Sequence, residues 1–497
     1  MIEPAMLALI SIQNTYIDLG IRQISACCRA QNIPTQVLWL NREPLDLLTD
    51  VQEKAVVQWV KQSKCLAVGI NVMSVHLDLA RQVTQIIKQN LNIPVIWGGI
   101  HCILEPEECL QHADFVCVGE GEESIAPLMA AIQSGNIPGD LRNFWYSVNG
   151  TLYKNSPEMI EDLNSLPMPD NSIQDHSILV QNAVLPATQE LFRKGFPWSE
   201  RRHIIMSGRG CPYHCTYCCS DALKRLFGTS WANRFRSVEH FMTEIHEVLS
   251  AYPFVNTIAI MDDTFFFKPA GWIEDFCREF KKTGAYFGVL LHPKKVTHEN
   301  IAMLVDAGLI GIQMGLQSGS ERISQGVFKR VESITDFKRA AAVLDDFTDK
   351  LHARTYDVIV DNPYETDEDR AETVRVLMSL KKPFNIDLFS LTLYPGTRLY
   401  EDYKESGKEI PPHLLCMNKD FIQHEQTPLN RLMRLTRLNH PAIVGFLLRY
   451  HDKPFGKFMI VAYDRIWEQG IRVFLHKTRR ALLSFIGLFR RAKPTIN

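Results

Sequence analysis

The chain has 497 residues, 46% of them hydrophobic and 22% charged, and a formal net charge of −2. It is too long for one ordinary domain, it has the balance of a globular chain able to bury sizeable cores, and its nearly matched acids and bases give no argument for a nucleic-acid partner. No window reaches the roughly 18 apolar residues of a membrane helix; "AIVGFLLRY" and "ALLSFIGLF" are about half that. The opening "MIEPAMLALISI" carries an acid at Glu3 and no basic start, a poor export signal. The twelve cysteines are therefore read as buried, catalytic or metal-bound thiols of a reducing cytoplasm, not as disulfides.

In chain order, "MLALISI", "TQVLWL", "CLAVGINVM", "IPVIWGG" and "ADFVCVGE" are short apolar runs that read as strands. Between them lie helical patterns such as "DLARQVTQIIKQNL", where Leu79, Val83, Ile86, Ile87 and Leu91 fall on one face. Five strands alternating with helices predict a doubly wound, flavodoxin-like α/β domain over residues 1–135, with ligands beyond the carboxyl ends of its strands. Residues 136–200, rich in Pro, Asn, Ser and Asp, read as a linker with little regular structure. A second series runs from "RHIIMSGRG" through "VNTIAIMDD", "YFGVLLHP", "IGIQMGLQSGS" and "ARTYDVIVDNP" to "NIDLFSLTLYPGT". Six such units predict a partial (β/α)6 barrel over 201–400, with its chemistry at the strand C-termini. Beyond residue 400 the pattern is helical, and it grows basic towards the end.

The feature that carries chemistry is "GRGCPYHCTYCC". Cys211, Cys215 and Cys218 are spaced C-x3-C-x2-C, and clustered soft thiolates select zinc, copper(I) or iron–sulfur clusters. A structural zinc wants four ligands. Here three cysteines have suitable spacing, Cys219 directly follows Cys218, and His214 sits inside the loop. A three-cysteine loop suits a [4Fe–4S] cluster with one iron free to bind something else. Cys219, Cys277 and Cys416 read as buried small residues.

This spacing, with Tyr217 before the last cysteine at the end of a first barrel strand, resembles the radical SAM superfamily over residues 200–400. "MDDTFFF", "MGLQSGSERI", "VDNPYETDED" and "LYPGTRLY" resemble its later strand ends. The resemblance implies that Cys211, Cys215 and Cys218 bind three irons and that the fourth chelates S-adenosylmethionine, which is cleaved reductively to a 5′-deoxyadenosyl radical. It places Tyr217 near the adenine, Asp262 and Asp263 near the methionyl amine, and Gln317 and Ser318 near the ribose or methionyl end. An Asp pair there is also a candidate helix cap.

A doubly wound domain ahead of such a barrel resembles the cobalamin-binding radical SAM class. The signals are "INVMS", "WGGIHCILEPEE" and "VGEGEES". The resemblance puts Ser74, Gly98 and Gly99 at the dimethylbenzimidazole pocket, with Gly119, Glu120 and Gly121 closing the same edge. Glycine is required where no side chain fits. The D-x-H-x-x-G loop of many cobalamin enzymes is absent: "QNTYIDLGIRQ" holds Asp18 and Gly20 with no histidine between them.

The implied function is a cobalamin-dependent radical SAM enzyme, cytoplasmic, that methylates an unactivated carbon of a small-molecule or lipid-like substrate and takes electrons from a flavodoxin or ferredoxin. Cyclisation or rearrangement is the alternative, with or without cobalamin. A methylthiotransferase would need three further cysteines in a matching N-terminal arrangement, which Cys27, Cys28, Cys65, Cys102, Cys109 and Cys117 do not offer. A non-enzymatic sensor would bind cofactors without cleaving S-adenosylmethionine. The basic tail "RVFLHKTRRALLSFIGLFRR" reads as a helix packed on the barrel or as a peripheral membrane contact.

Overall fold

A computed structural model describes residues 5–196, 200–407, 409–418, 420–438 and 440–467. The basic tail of 472–491 lies outside them. Strands β1 (Leu7–Ser11), β2 (Thr35–Trp39), β3 (Ala67–Asn71), β4 (Val95–Gly98) and β5 (Phe115–Cys117) run parallel in the order β2-β1-β3-β4-β5. This is the flavodoxin-like order. Register aligns Leu9 with Val37 on one side and Gly69 on the other. All five residues of β1 are buried, because helices cover both faces of the sheet. The helix Leu77–Asn90 buries Leu79, Val83, Ile86 and Ile87, the stripe its spacing predicts.

Residues 136–200 depart from the expectation of little regular structure. They supply β6 (Phe144–Val148), β7 (Thr151–Lys154), β8 (His176–Val180) and β9 (Ala183–Pro186) to the same sheet. Its full order among the described residues is β7-β6-β5-β4-β3-β1-β2-β8-β9. The β6–β7 hairpin turns on Asn149 and Gly150, with φ of 51° and 79°, the left-handed pair that a two-residue turn requires. Pro and Asn in this segment mark turns between short strands.

The second sheet takes β10 (Arg202–Ile205), then, after the two-residue antiparallel pair β11 (Gly208–Arg209) and β12 (Arg234–Phe235), β13 (Thr257–Ile260), β14 (Tyr286–Leu291), β15 (Leu309–Gln317), β16 (Ala353–Val360) and β17 (Asn385–Ser390). The order β10-β13-β14-β15-β16-β17 is parallel throughout and does not close, a half-barrel. Its outer layer is aromatic: Trp272, Phe276, Phe280 and Phe287 pack ring against ring. Truncating a buried ring such as Phe276 to Ala costs about 3–5 kcal/mol.

Arg22 ties the two halves. It is buried, donates to the Asp170 and Tyr16 carbonyls at 2.6 and 2.9 Å, and reaches the Tyr252 hydroxyl at 3.3 Å. Helices follow the barrel at Arg398–Glu405, Pro428–Leu435 and Pro441–Arg449, then over 454–467. No helix among the described residues is long and apolar enough to cross a membrane.

Candidate active site

The cysteine loop leaves β11 and ends where Cys218 begins the helix Cys219–Phe227. Cys211, Cys215, Cys218 and Cys219 are partly exposed, whereas the other eight cysteines are buried. The loop is pinned at several points. Gly210 has φ +99°, and a Cβ there would lie 2.0 Å from the Trp231 carbonyl. Thr216 Oγ1 donates to the Val327 carbonyl at 2.8 Å. Lys224 Nζ donates to His214 Nε2 at 2.9 Å, so His214 Nδ1 donates to Asp221 at 2.9 Å. Both ring nitrogens are engaged, which takes His214 out of a ligand role.

Among the described residues no three Cys, His, Asp or Glu side chains converge to hold a single metal ion. A lone tetrahedral ion needs such convergence, whereas a multi-iron cluster takes its thiolates from separate directions. Burial pushes the Cys211 thiol up to about 12 and Cys215 to about 11, and a hydrogen bond from Cys219 holds Cys218 below the usual value. Metal charge is what keeps such thiols deprotonated.

The two acids of "MDD" are not equivalent. Asp262 is buried with its carboxylate saturated. Oδ1 accepts from the Ser207 and Gly208 amides at 2.7 and 3.2 Å, and Oδ2 accepts from Ser207 Oγ at 2.5 Å and Lys268 Nζ at 2.6 Å. Lys268 is itself buried. Asp262 thus fastens the β10 end and has no free lone pair aimed outward. Asp263 is exposed to a cavity, and partial desolvation there, with the Asp262 charge beside it, pushes its carboxyl up to about 6.

Tyr217 lies against Phe328, and its hydroxyl accepts from Arg330 Nη1 at 2.9 Å. Arg330 pairs with Glu332, Glu332 with His292 Nε2 at 3.0 Å, and the His292 ring stacks at 4.0 Å on Tyr213 of the cysteine loop. The sequence gives no sign of this relay between β15 and the loop. Gln317 sits at φ +62° on a β-bulge, and its Oε1 is buried without a hydrogen-bond partner, as are Asn362 Nδ2 and Glu365 Oε2. Ser318 is fully buried and donates to Glu365 at 3.1 Å, so it turns into the fold. Burial pushes Glu365 up to about 7. Inside the barrel, Asp357 accepts from Gln313 Nε2 at 2.9 Å, and Gln313 and Asp387 line a cavity of about 760 Å³.

At the carboxyl ends of the first sheet an apolar slot of about 180 Å³ runs between β1, β3, β4 and β5 and the helix Leu19–Ala30. Gly20, Gly69, Gly98, Gly99, Gly119 and Gly121 line it. Gly99 has φ +104°, and a Cβ there would lie 2.2 Å from Asn71 Oδ1; a Cβ on Gly98 would meet only Cys117, at 3.6 Å, and project into the slot. Two implied contacts sit differently. Ser74 is buried, 3.0 Å from His101 Nδ1, and does not line the slot. Glu120 lines the slot, but its carboxylate is held by Arg234 at 2.6 and 3.0 Å, Arg209 at 3.0 Å and the Ile160 amide at 2.6 Å. Asp18 accepts from Ser11 Oγ at 2.9 Å, Asn71 Nδ2 at 2.7 Å and the Ile21 amide, so the first loop caps its helix.

A cavity of about 470 Å³ lies between slot and cysteine loop. Gly20, Gly99 and Gly119 line its first-domain side, and Gly208, Gly210, Cys219, Ser220 and Asp263 its barrel side.

The family model for the B12 binding domain matches residues 6–128, and that for the radical SAM superfamily matches 205–377. The chain is 27% identical over 365 residues to the uncharacterized methyltransferase PH0819 of Pyrococcus horikoshii, covering 71% of this chain and 73% of that protein. It is 24% identical over 385 residues to the anaerobic magnesium-protoporphyrin IX monomethyl ester cyclase of Rubrivivax gelatinosus, covering 74% and 63%. The fold resembles the radical S-adenosylmethionine methyltransferase TsrM of Kitasatospora setae with cobalamin and a [4Fe-4S] cluster bound (TM-score 0.64, 16% identity, 81% of this chain and 75% of that one). It also resembles the cobalamin-dependent radical enzyme OxsB with aqua-cobalamin bound (TM-score 0.64, 15% identity, 94% and 72%). This chain is a cobalamin-binding radical SAM superfamily protein: a B12-binding domain followed by a radical SAM domain. Its cofactors are a [4Fe–4S] cluster, S-adenosylmethionine and cobalamin.

Proposed function

We propose that the protein is a radical SAM C-methyltransferase that methylates an unactivated carbon of a small-molecule or lipid-like substrate. When bound, the cofactors supply an adenosyl radical to remove a hydrogen atom and a cobalt-borne methyl group to replace it. The observation that carries the reading is the cavity of about 470 Å³, walled on one side by the glycine slot and on the other by the cysteine loop, where a substrate would face both.

In this reading Cys211, Cys215 and Cys218 hold three irons, and Cys219 stays a thiol. Asp263 receives the methionyl ammonium, a charge-assisted contact that its position on the cavity favours. Asp262 positions the strand end beneath it. Tyr217, oriented by Arg330, backs the adenine, and the orphaned Gln317 Oε1 and Asn362 Nδ2 offer hydrogen bonds to ribose and carboxylate. Ser318 acts by holding Glu365. Gly98, Gly99, Gly119 and Gly121 make room for the dimethylbenzimidazole tail, with Ser74 bracing His101. The electron donor is a flavodoxin or ferredoxin.

Cyclisation is the second reading, supported by the 24% identity to a cyclase. Anaerobic turnover after reconstitution, with 5′-deoxyadenosine and S-adenosylhomocysteine both quantified, separates the two. Formation of both supports methylation, and deoxyadenosine alone supports cyclisation.

A further inference from the structure

We propose that Glu120 and Glu122 are positioning residues that couple the two cofactor sites: they hold Arg209, and through it the cysteine loop, against the lip of the cobalamin slot. The inference rests on the cofactor reading above.

Arg209 on β11 and Arg234 on β12 are direct cross-strand partners. Like charges in that position destabilise a pair. Glu120, from the first domain, bridges both, taking Arg234 at 2.6 and 3.0 Å and Arg209 at 3.0 Å, while Glu122 takes Arg209 at 2.6 Å. Both carboxylates are buried, with side chains 9% and 8% exposed, and so is Arg234 at 4%, whereas Arg209 keeps 25% of its side chain exposed, so two buried anions balance one buried and one half-buried cation. Among the described residues, the β11–β12 pair that leads into the cysteine loop thus has its two cations ion-paired from the other domain.

The geometry on either side is tight. Glu120 stands between Gly119 and Gly121, which line the slot. A Cβ on Gly119 would lie 2.3 Å from Asn143 Oδ1, and the Glu120 amide donates to the Glu158 carbonyl at 3.0 Å, so this loop has one seating. On the barrel side Arg209 is followed by Gly210, pressed on Trp231, and then by Cys211. One ion pair and two peptide units separate the slot's lip from the first cysteine. A ligand that orders the lip therefore orders the cysteine loop, and the effect is reciprocal.

The test measures hydroxocobalamin affinity by absorbance titration, on the full chain purified without iron and again after cluster reconstitution. Wild type is expected to bind at least about fivefold more tightly with the cluster in place. Glu122→Gln, which keeps the side chain's shape at the edge of the slot but removes the negative charge that Arg209 meets, is expected to bind hydroxocobalamin and to reconstitute iron, yet to bring that ratio to about one; Glu120→Gln should do the same at a larger cost in thermal stability. Should either variant fail to fold, Arg209→Lys, which keeps the charge but cannot span both carboxylates, takes its place with the same expectation. Equal wild-type affinities in the two forms overturn the coupling alone. A Glu122→Gln or Arg209→Lys ratio equal to wild type overturns the role given to the carboxylates. No hydroxocobalamin binding in either form of the wild type overturns the cofactor reading together with the coupling.

Discussion

Lys268 Nζ lies 2.6 Å from Asp262 Oδ2, and both side chains are almost wholly buried. Removing one partner of such a pair leaves an uncompensated charge in the interior. Asp262→Asn should cost about 3–5 kcal/mol of stability, read as a lowered thermal midpoint. Asp263→Asn touches no such pair. It should leave the midpoint nearly unchanged and weaken S-adenosylmethionine binding by about tenfold or more in equilibrium dialysis of the reconstituted chain. Equal effects of the two substitutions would refute the division of roles.

The glycines of the slot should separate in the same way. A Cβ at Gly98 meets only Cys117, so Gly98→Ala should keep the fold and the iron while weakening cobalamin retention by about tenfold or more. Gly99→Ala should instead destabilise the chain, since its φ of +104° and the 2.2 Å approach to Asn71 leave no place for a methyl group. Cobalt content after gel filtration, set beside the thermal midpoint, distinguishes them.

Asp357 gives a pH dependence. Burial pushes its carboxyl from 3.8 up to about 7, with Asp387 adding to the rise and the Gln313 hydrogen bond opposing it. A raised acid favours the neutral folded form. Its contribution to stability is full below its ordinary value and is lost as pH rises through about 7. Asp357→Asn mimics the neutral form, so its midpoint should gain on wild type between about pH 4 and 7 and gain no further above that. Parallel curves for the two chains would mean that Asp357 does not titrate this way.

Where local pattern decides the structure, the sequence was legible. The eleven strands read from apolar runs before and after residues 136–200 all form, and the C-x3-C-x2-C spacing marks a loop whose two ends, at Gly210 and at Cys219 and Ser220, line the interdomain cavity, while Cys211, Cys215 and Cys218 do not. In residues 136–200 composition suggests a linker, whereas the local pattern encodes short strands. Asn149-Gly150 between "FWYSV" and "TLYK" is a strong hairpin signal, and it was present throughout. The site's supporting contacts could not be read, because they join distant segments: Arg209 to Glu120 and Glu122, Arg330 to Tyr217, Asp262 to Lys268. Nothing in "MDD" says which aspartate is saturated. That follows from Ser207 and Lys268 closing on Asp262 once β10 and β13 pair.

The most direct test of the central claim is iron and cobalt content, with 5′-deoxyadenosine formation, in wild type and in Cys211→Ala/Cys215→Ala/Cys218→Ala, both reconstituted anaerobically with excess hydroxocobalamin. Wild type should hold about four irons per chain and cobalamin, and release deoxyadenosine on reduction. The triple variant should lose the iron and the product, yet still take up cobalamin at excess ligand; Cys219→Ser should behave as wild type. Iron retained by the triple variant, or a wild type that takes up no cobalamin, would contradict the account.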